Sequence, residues 1–136
     1  MSYSYVIDSY AWIEYFRASK MGGVVSKYVE GEMSATPSIV VAELSRKLLR
    51  AIEEGEETEK GRKHRLEFIR SSTQIVYLDF DIAESSGEID MQRKREVKGW
   101  SLADSIILAT ARSANARVVT GDEYFRDLSG ETVMIE

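Results

Sequence analysis

The chain has 136 residues, 43% of them hydrophobic, which suits one domain with one buried core. Its 18 basic and 23 acidic residues give a net charge of −5, which counts mildly against a nucleic-acid ligand. With no cysteine it has neither disulfides nor thiolate metal sites, and no apolar run approaches the roughly 18 residues of a membrane span.

The opening MSYSYVIDSY lacks a basic segment and a long apolar stretch, so no signal peptide is expected and the simplest compartment is the cytoplasm. Residues 5–8 are a short apolar run ending in Asp8, read as a buried strand. Residues 9–17 are aromatic-rich and helical, with Trp12, Tyr15 and Phe16 assigned to core or interface. Gly22-Gly23 is expected to break that helix, and residues 24–30 to form another. Residues 33–36 make a short strand bounded by Gly31 and Pro37.

Ser38 is expected to cap the next helix, whose Val40, Leu44, Leu48 and Ile52 fall at near-helical spacing up to Gly55. Residues 56–71 form a highly charged helix, and residues 74–78 a strand. Asp79 or Asp81 caps a helix reaching about Lys98, with its end at Gly99. The pattern Ser101-x-x-Asp104 opens the most apolar helix, residues 102–114. Residues 117–120 are a strand, Gly121-Asp122 a turn, and residues 132–135 a final edge-like strand. Strands alternating with helices predict an α/β/α sandwich around a parallel sheet, one domain over residues 1–136.

In such a sheet every strand ends on one edge, and each following helix starts there. Asp8 ends the first strand, Glu43 lies early in the helix after the second, and Asp104 lies in the first turn of its helix. The helix from Leu102 retreats about 20 Å at 1.5 Å per residue. The strand after it returns about 13 Å, and the Gly121 turn brings Asp122 back towards Asp104. Four carboxylates held close repel unless a cation neutralises them. All-oxygen donors, with no Cys and a single His, select Mg²⁺ or Mn²⁺. Such an ion activates a water and stabilises charge on a phosphodiester. Setting the four acids aside leaves 18 basic against 19 acidic residues, which weakens the charge objection.

Each acid alone has a simpler explanation. Asp8 and Asp104 could be helix caps, Glu43 a solvated acid paired with Arg46 or Lys47, and Asp122 turn chemistry. Their joint placement on one edge carries the metal reading. Asp79 and Asp81 are supporting or capping candidates, and Asp127 reads as loop. His64 reads as solvated. The basic clusters 62–65 and 93–98 are solvated faces or RNA phosphate contacts. Trp100, just before the Asp104 helix, is the better base-stacking candidate.

These residues resemble the PIN-domain nucleases, and among them the VapC-like toxins of prokaryotic toxin–antitoxin pairs. The matching pieces are Tyr5-Val-Ile-Asp8-Ser9, Val41-Ala42-Glu43-Leu44, Leu102-Ala103-Asp104 running on to Ala111, and Val119-Thr120-Gly121-Asp122 with Phe125. They occur in the family's order and cover the chain nearly end to end. The charged segment 56–71 is less typical. The resemblance implies the PIN fold and a Mg²⁺- or Mn²⁺-dependent ribonuclease. In it Asp8, Glu43, Asp104 and Asp122 form the acidic quartet, and Ser9 and Thr120 are the small hydroxyl positions beside it. It also implies a homodimer and an antitoxin partner that fills the groove by the acids. Arg46, Trp100, Arg93, Lys94 and Arg95 are the RNA-contact candidates.

The rival readings are a non-catalytic PIN-like interaction module, a housekeeping RNA-processing nuclease, and a phosphoacceptor α/β domain. The last is disfavoured. A haloacid-dehalogenase-like phosphatase wants an acid where Tyr10 stands, and a receiver wants a lysine ending the strand that here ends Val118-Val119-Thr120.

Overall fold

The computed structural model describes residues 2–31 and 33–136. Five short strands, β1 (Tyr5–Ile7), β2 (Ser34–Pro37), β3 (Gln74–Val76), β4 (Arg117–Thr120) and β5 (Thr132–Met134), form one sheet in the order β3-β2-β1-β4-β5. Every pairing is parallel, and Val6 lies opposite both Ala35 and Val118. Six helices accompany them: α1 (Ser9–Phe16), α2 (Lys20–Glu30), α3 (Ser38–Glu53), α4 (Glu59–Ser72), α5 (Phe80–Glu96) and α6 (Leu102–Ser113). The expected α/β/α architecture is the one found.

The central strands are buried on both faces, so they read as continuous apolar runs without alternation. Val6, Ile7, Val118 and Val119 are fully buried, with Leu44, Ile107 and Leu108 packing over them in one apolar cluster. Trp12 is fully buried too, and its indole N–H donates to Thr36 Oγ1 at 3.1 Å. The Thr36 and Thr73 hydroxyls lie 2.7 Å apart, so a buried polar chain is satisfied within the core. This places Trp12 in the core, as its aromatic-rich helix suggested.

Three local expectations fail for physical reasons. Gly22-Gly23 does not break a helix, because both residues lie inside α2. The break comes earlier, where Ala18 takes a left-handed φ of 54° and Ser19 caps α2 by accepting from Gly22 N at 3.0 Å. Gly22 is instead a close-packing residue. A Cβ there would stand 2.1 Å from the Glu14 carbonyl oxygen of α1. Gly22→Ala is therefore expected to force α1 and α2 apart and cost about 1–3 kcal/mol. Chemical denaturation checks this, and an unchanged midpoint would contradict it. Ser38 does not cap α3, which begins after Pro37 without a side-chain cap. The Ser38 hydroxyl accepts from Leu78 N at 3.3 Å. Finally, β2 starts at Ser34, whose hydroxyl donates to the Tyr28 carbonyl oxygen.

The sheet order fixes where a ligand can sit. From β1 the chain moves outward to β2 and β3, then crosses back to β4 on the other side of β1. The crevice beyond the carboxyl ends of β1 and β4 is the topological switch point, where open α/β sheets bind ligands.

Candidate metal centre

Asp8 stands at that switch point, directly after β1. Its side chain caps α1 by accepting from Ala11 N at 2.9 Å, and the residue is only 3% exposed. Burial pushes its carboxyl up from the ordinary 3.8 to about 7. The Thr120 hydroxyl and the Ala11 N–H oppose this, and the neighbouring Asp122 and Glu43 charges reinforce it.

Asp122 follows β4 across the crevice. Its N–H donates to Thr120 Oγ1 at 2.9 Å, and its carboxylate accepts from Tyr124 N at 2.9 Å, opening the short 3-10 turn Glu123–Phe125. Thr120, fully buried, thus links the two strand ends. Gly121 allows the turn to lie close to Tyr10, since a Cβ there would approach the Tyr10 ring to 2.3 Å.

Asp104 lies in the first turn of α6 and completes a capping box. Ser101 Oγ accepts from Asp104 N, and the Asp104 carboxylate accepts from Ser101 N, both at 3.1 Å. Burial raises its pKa. Ser101 lowers it, the Asp122 charge raises it and Arg93 lowers it. Capping and membership of the site coexist in this residue, because both place a carboxylate at the helix end.

Glu43, from the early turns of α3, completes the group. Its pKa is raised, first by burial and also by the Asp104 charge, against the lowering influence of Lys47, Ser9 and Arg46. Its Oε1 is buried and has no hydrogen-bond partner. Ser9 is buried beside it, and Lys47 Nζ reaches the Ser9 hydroxyl at 3.5 Å.

The four carboxylates line one cavity of about 270 Å³, together with Ser9 and Lys47. Among the described residues, no three acidic or histidine side chains are already drawn into one metal-ligand cluster. The carboxylates share this cavity without converging on one point. The donor set still fits a hard divalent ion. It is all carboxylate oxygen, three members are held in environments that disfavour their charge, and one buried acceptor atom has nothing to accept from.

Four of the RNA-contact candidates are placed elsewhere. Trp100 is only 2% exposed. Its indole N–H donates to Ser105 Oγ at 2.7 Å, and its ring packs 4.9 Å from Phe125, so it offers no stacking face. Arg93 is buried under that ring, 4.4 Å from its centroid, and forks onto Asp127 at 2.8 and 2.9 Å. Lys94 is tied to Asp90 at 2.9 Å. Arg95 is exposed, and neither it nor Lys94 lines the acidic cavity. Arg46 does line it. Asp127 is more than loop, because it is the carboxylate that holds Arg93. Asp79 caps α5 by accepting from Ile82 N at 2.8 Å, while Asp81 and His64 are exposed.

The PIN domain model matches residues 5–131. The chain belongs to the PIN domain family. No curated protein sequence matches it. Among solved structures, a toxin–antitoxin complex from Klebsiella pneumoniae is similar at 22% identity and a TM-score of 0.72, covering 98% of each chain. VapBC2 from Rickettsia felis, bound to promoter DNA, is similar at 16% identity and a TM-score of 0.76, covering 97% of this chain and 98% of that one. Mycobacterium tuberculosis VapC20, a toxin that cleaves the sarcin-ricin loop, is similar at 15% identity and a TM-score of 0.72, over 92% and 95% of the two chains. At these identities the likeness is one of fold. It extends the PIN architecture over nearly the whole chain, including the charged α4.

Proposed function

We propose that the chain, acting as a single PIN domain, is a Mg²⁺- or Mn²⁺-dependent endoribonuclease and the toxin of a toxin–antitoxin pair. The observation that carries this is the gathering of Asp8, Glu43, Asp104 and Asp122 around one cavity at the switch point of the sheet. Asp8, Asp104 and Asp122 would hold the ion directly, and Glu43 would hold it or orient the attacking water. When bound, the ion lowers the pKa of water and offsets charge on the phosphate oxygens and the leaving group.

The chain's own residues do the positioning. Thr120 fixes the Asp8 and Asp122 strand ends relative to each other. The Ser101 capping box holds Asp104 in one orientation. Lys47 and Ser9 steady Glu43 from the α3 side. In-line attack of water on phosphorus would leave a 5′-phosphate and a 3′-hydroxyl. Structural neighbours solved as toxin–antitoxin complexes support the toxin role and an antitoxin partner, and a homodimer and a cytoplasmic setting belong to the same proposal. No described helix is long and apolar enough to cross a membrane.

RNA cleavage by the purified protein should stop in EDTA and return on adding Mn²⁺. Asp104→Asn protein, which keeps a capping side chain, should lose cleavage by two to three orders of magnitude with little change in melting temperature, an effect of about 3–4 kcal/mol on the barrier. Cleavage that persists in EDTA, or full activity of Asp104→Asn protein, would sink the assignment.

A further inference from the structure

The acidic cavity has a larger neighbour. Tyr10, Arg46 and Lys47 line it and also line a larger groove of about 760 Å³ between α1 and α3, so the two spaces adjoin. The groove's cations are of two kinds. Arg17 is held by Glu14 and Arg65 by Glu57, each at 3.3 Å. Arg46, Lys47 and Arg50 are exposed, and none has an ion-pair partner among the described residues.

These cations are ordered along α3. Arg46 and Lys47 stand beside the acids, and Arg50 is one turn on, about 6 Å further along the axis. Glu54 and Glu56 follow and reverse the sign of the charge. Tyr10 stands where cavity and groove meet. The residue is 37% exposed, and its ring leans on Gly121, next to Asp122. Ile13, Phe16 and Leu48 supply apolar surface in the groove beyond.

We propose that the single-stranded RNA on one side of the cleaved bond runs along this groove, its phosphates held by Arg46, Lys47 and Arg50 and one base stacked on Tyr10. The inference rests on the ribonuclease reading and adds to it a path, a length and named contacts. Free cations spaced along one helix beside a half-exposed aromatic ring are the parts from which sequence-tolerant single-strand tracks are built. Glu54 and Glu56 would repel the next phosphates, so the track covers about two nucleotides beyond the cleaved bond. It also accounts for how a chain of net charge −5 would hold a polyanion: three exposed cations, none in an ion pair among the described residues, line the path of the strand, while the acids by the cleaved bond would hold the ion.

The test is fluorescence anisotropy with a labelled random-sequence 12-nucleotide RNA in Mg²⁺, across a salt series, with Asp104→Asn as background to prevent turnover. Adding Arg46→Gln or Arg50→Gln should flatten the slope of log affinity against log salt by about 0.7 each. Adding Tyr10→Leu should weaken binding at least about fivefold with the slope unchanged. Lys63→Gln, the same charge change on α4, should leave both unchanged. If Arg46→Gln and Arg50→Gln keep the parent slope and affinity, the path is wrong and the groove is left to a protein partner. Wild-type protein that fails to cleave any RNA in Mn²⁺ would overturn the ribonuclease reading itself. Cleavage with unchanged slopes would overturn the path alone.

Discussion

Asp8→Asn protein is expected to lose RNA cleavage by on the order of a thousandfold and yet to melt at a higher temperature than wild type in the absence of metal. The loss follows from removing one charged oxygen donor from the site, worth several kcal/mol on the barrier. The gain follows from burial. The folded state holds Asp8 at about 7, well above its ordinary 3.8, so folding favours the protonated form. The cost of ionising it is absent below the unfolded value, grows as pH rises between about 4 and 7, and is complete above that. Its ceiling is on the order of 4 kcal/mol. Asparagine escapes this cost and still caps α1, because it accepts from Ala11 N as aspartate does. The melting difference should therefore be small near pH 4 and several degrees above pH 7. Mn²⁺ should raise the wild-type melting temperature and leave the variant's unchanged. A variant that melts below wild type at pH 8 would contradict the account.

Arg93→Ala protein is expected to lose about 3 kcal/mol of stability, and cleavage with it. The Arg93 guanidinium is buried beneath Trp100, pairs with both oxygens of Asp127, and donates to the Tyr124 carbonyl oxygen at 2.8 Å. Breaking a buried pair from one side costs roughly 3–5 kcal/mol. The lower end applies here because the Asp127 side chain is 54% exposed and can be rehydrated. The functional link is geometric. Tyr124 belongs to the turn that Asp122 opens, so Arg93 pins the Asp122 turn to α5 from behind. Arg93→Lys should recover part of the stability, since an ammonium can neutralise Asp127 but can neither fork onto it nor stack flat under the indole. Urea denaturation gives the stability, and cleavage by the folded fraction gives the positioning effect. A loss below about 1 kcal/mol would show that the pair is a surface contact.

The two residues differ in how far the sequence discloses them. Asp8 is legible because it ends an apolar run and Asp122 because only Gly121 separates it from the strand before it, and an acid so close to a sheet edge has few places for its carboxylate to go. Glu43 and Asp104 are legible only through topology. Each is an ordinary early-helix acid until the parallel sheet brings every helix start to one edge. Arg93 is misread as an RNA contact because it sits among Lys94, Arg95 and Lys98. A pattern that could have placed it correctly is the buried stripe of α5, Ile82, Ser86, Ile89 and Arg93, which recurs at helical spacing and puts the arginine on the inward face. Trp100 is misread for a related reason. Its nearness in sequence to Asp104 says nothing of whether its ring faces the cavity or the core, and Ser105 and Phe125 hold it in the core. Gly22-Gly23 carries a breaker signal that packing overrides, since α1 and α2 approach too closely for any side chain at position 22. Strand-end acids are thus fixed by local sequence, whereas an inward-facing cation or a close-packing glycine depends on partners distant in the chain or on another element.

The account's central claim is that the four carboxylates form one divalent-ion site, and titration calorimetry of EDTA-stripped protein with Mn²⁺ tests it most directly. Wild-type protein should show saturable binding at neutral pH that is abolished by Asp8→Asn and weakened as pH falls below about 7, where Asp8 takes up its proton. The absence of saturable Mn²⁺ binding by folded wild-type protein, or equal binding by Asp8→Asn protein, would contradict it.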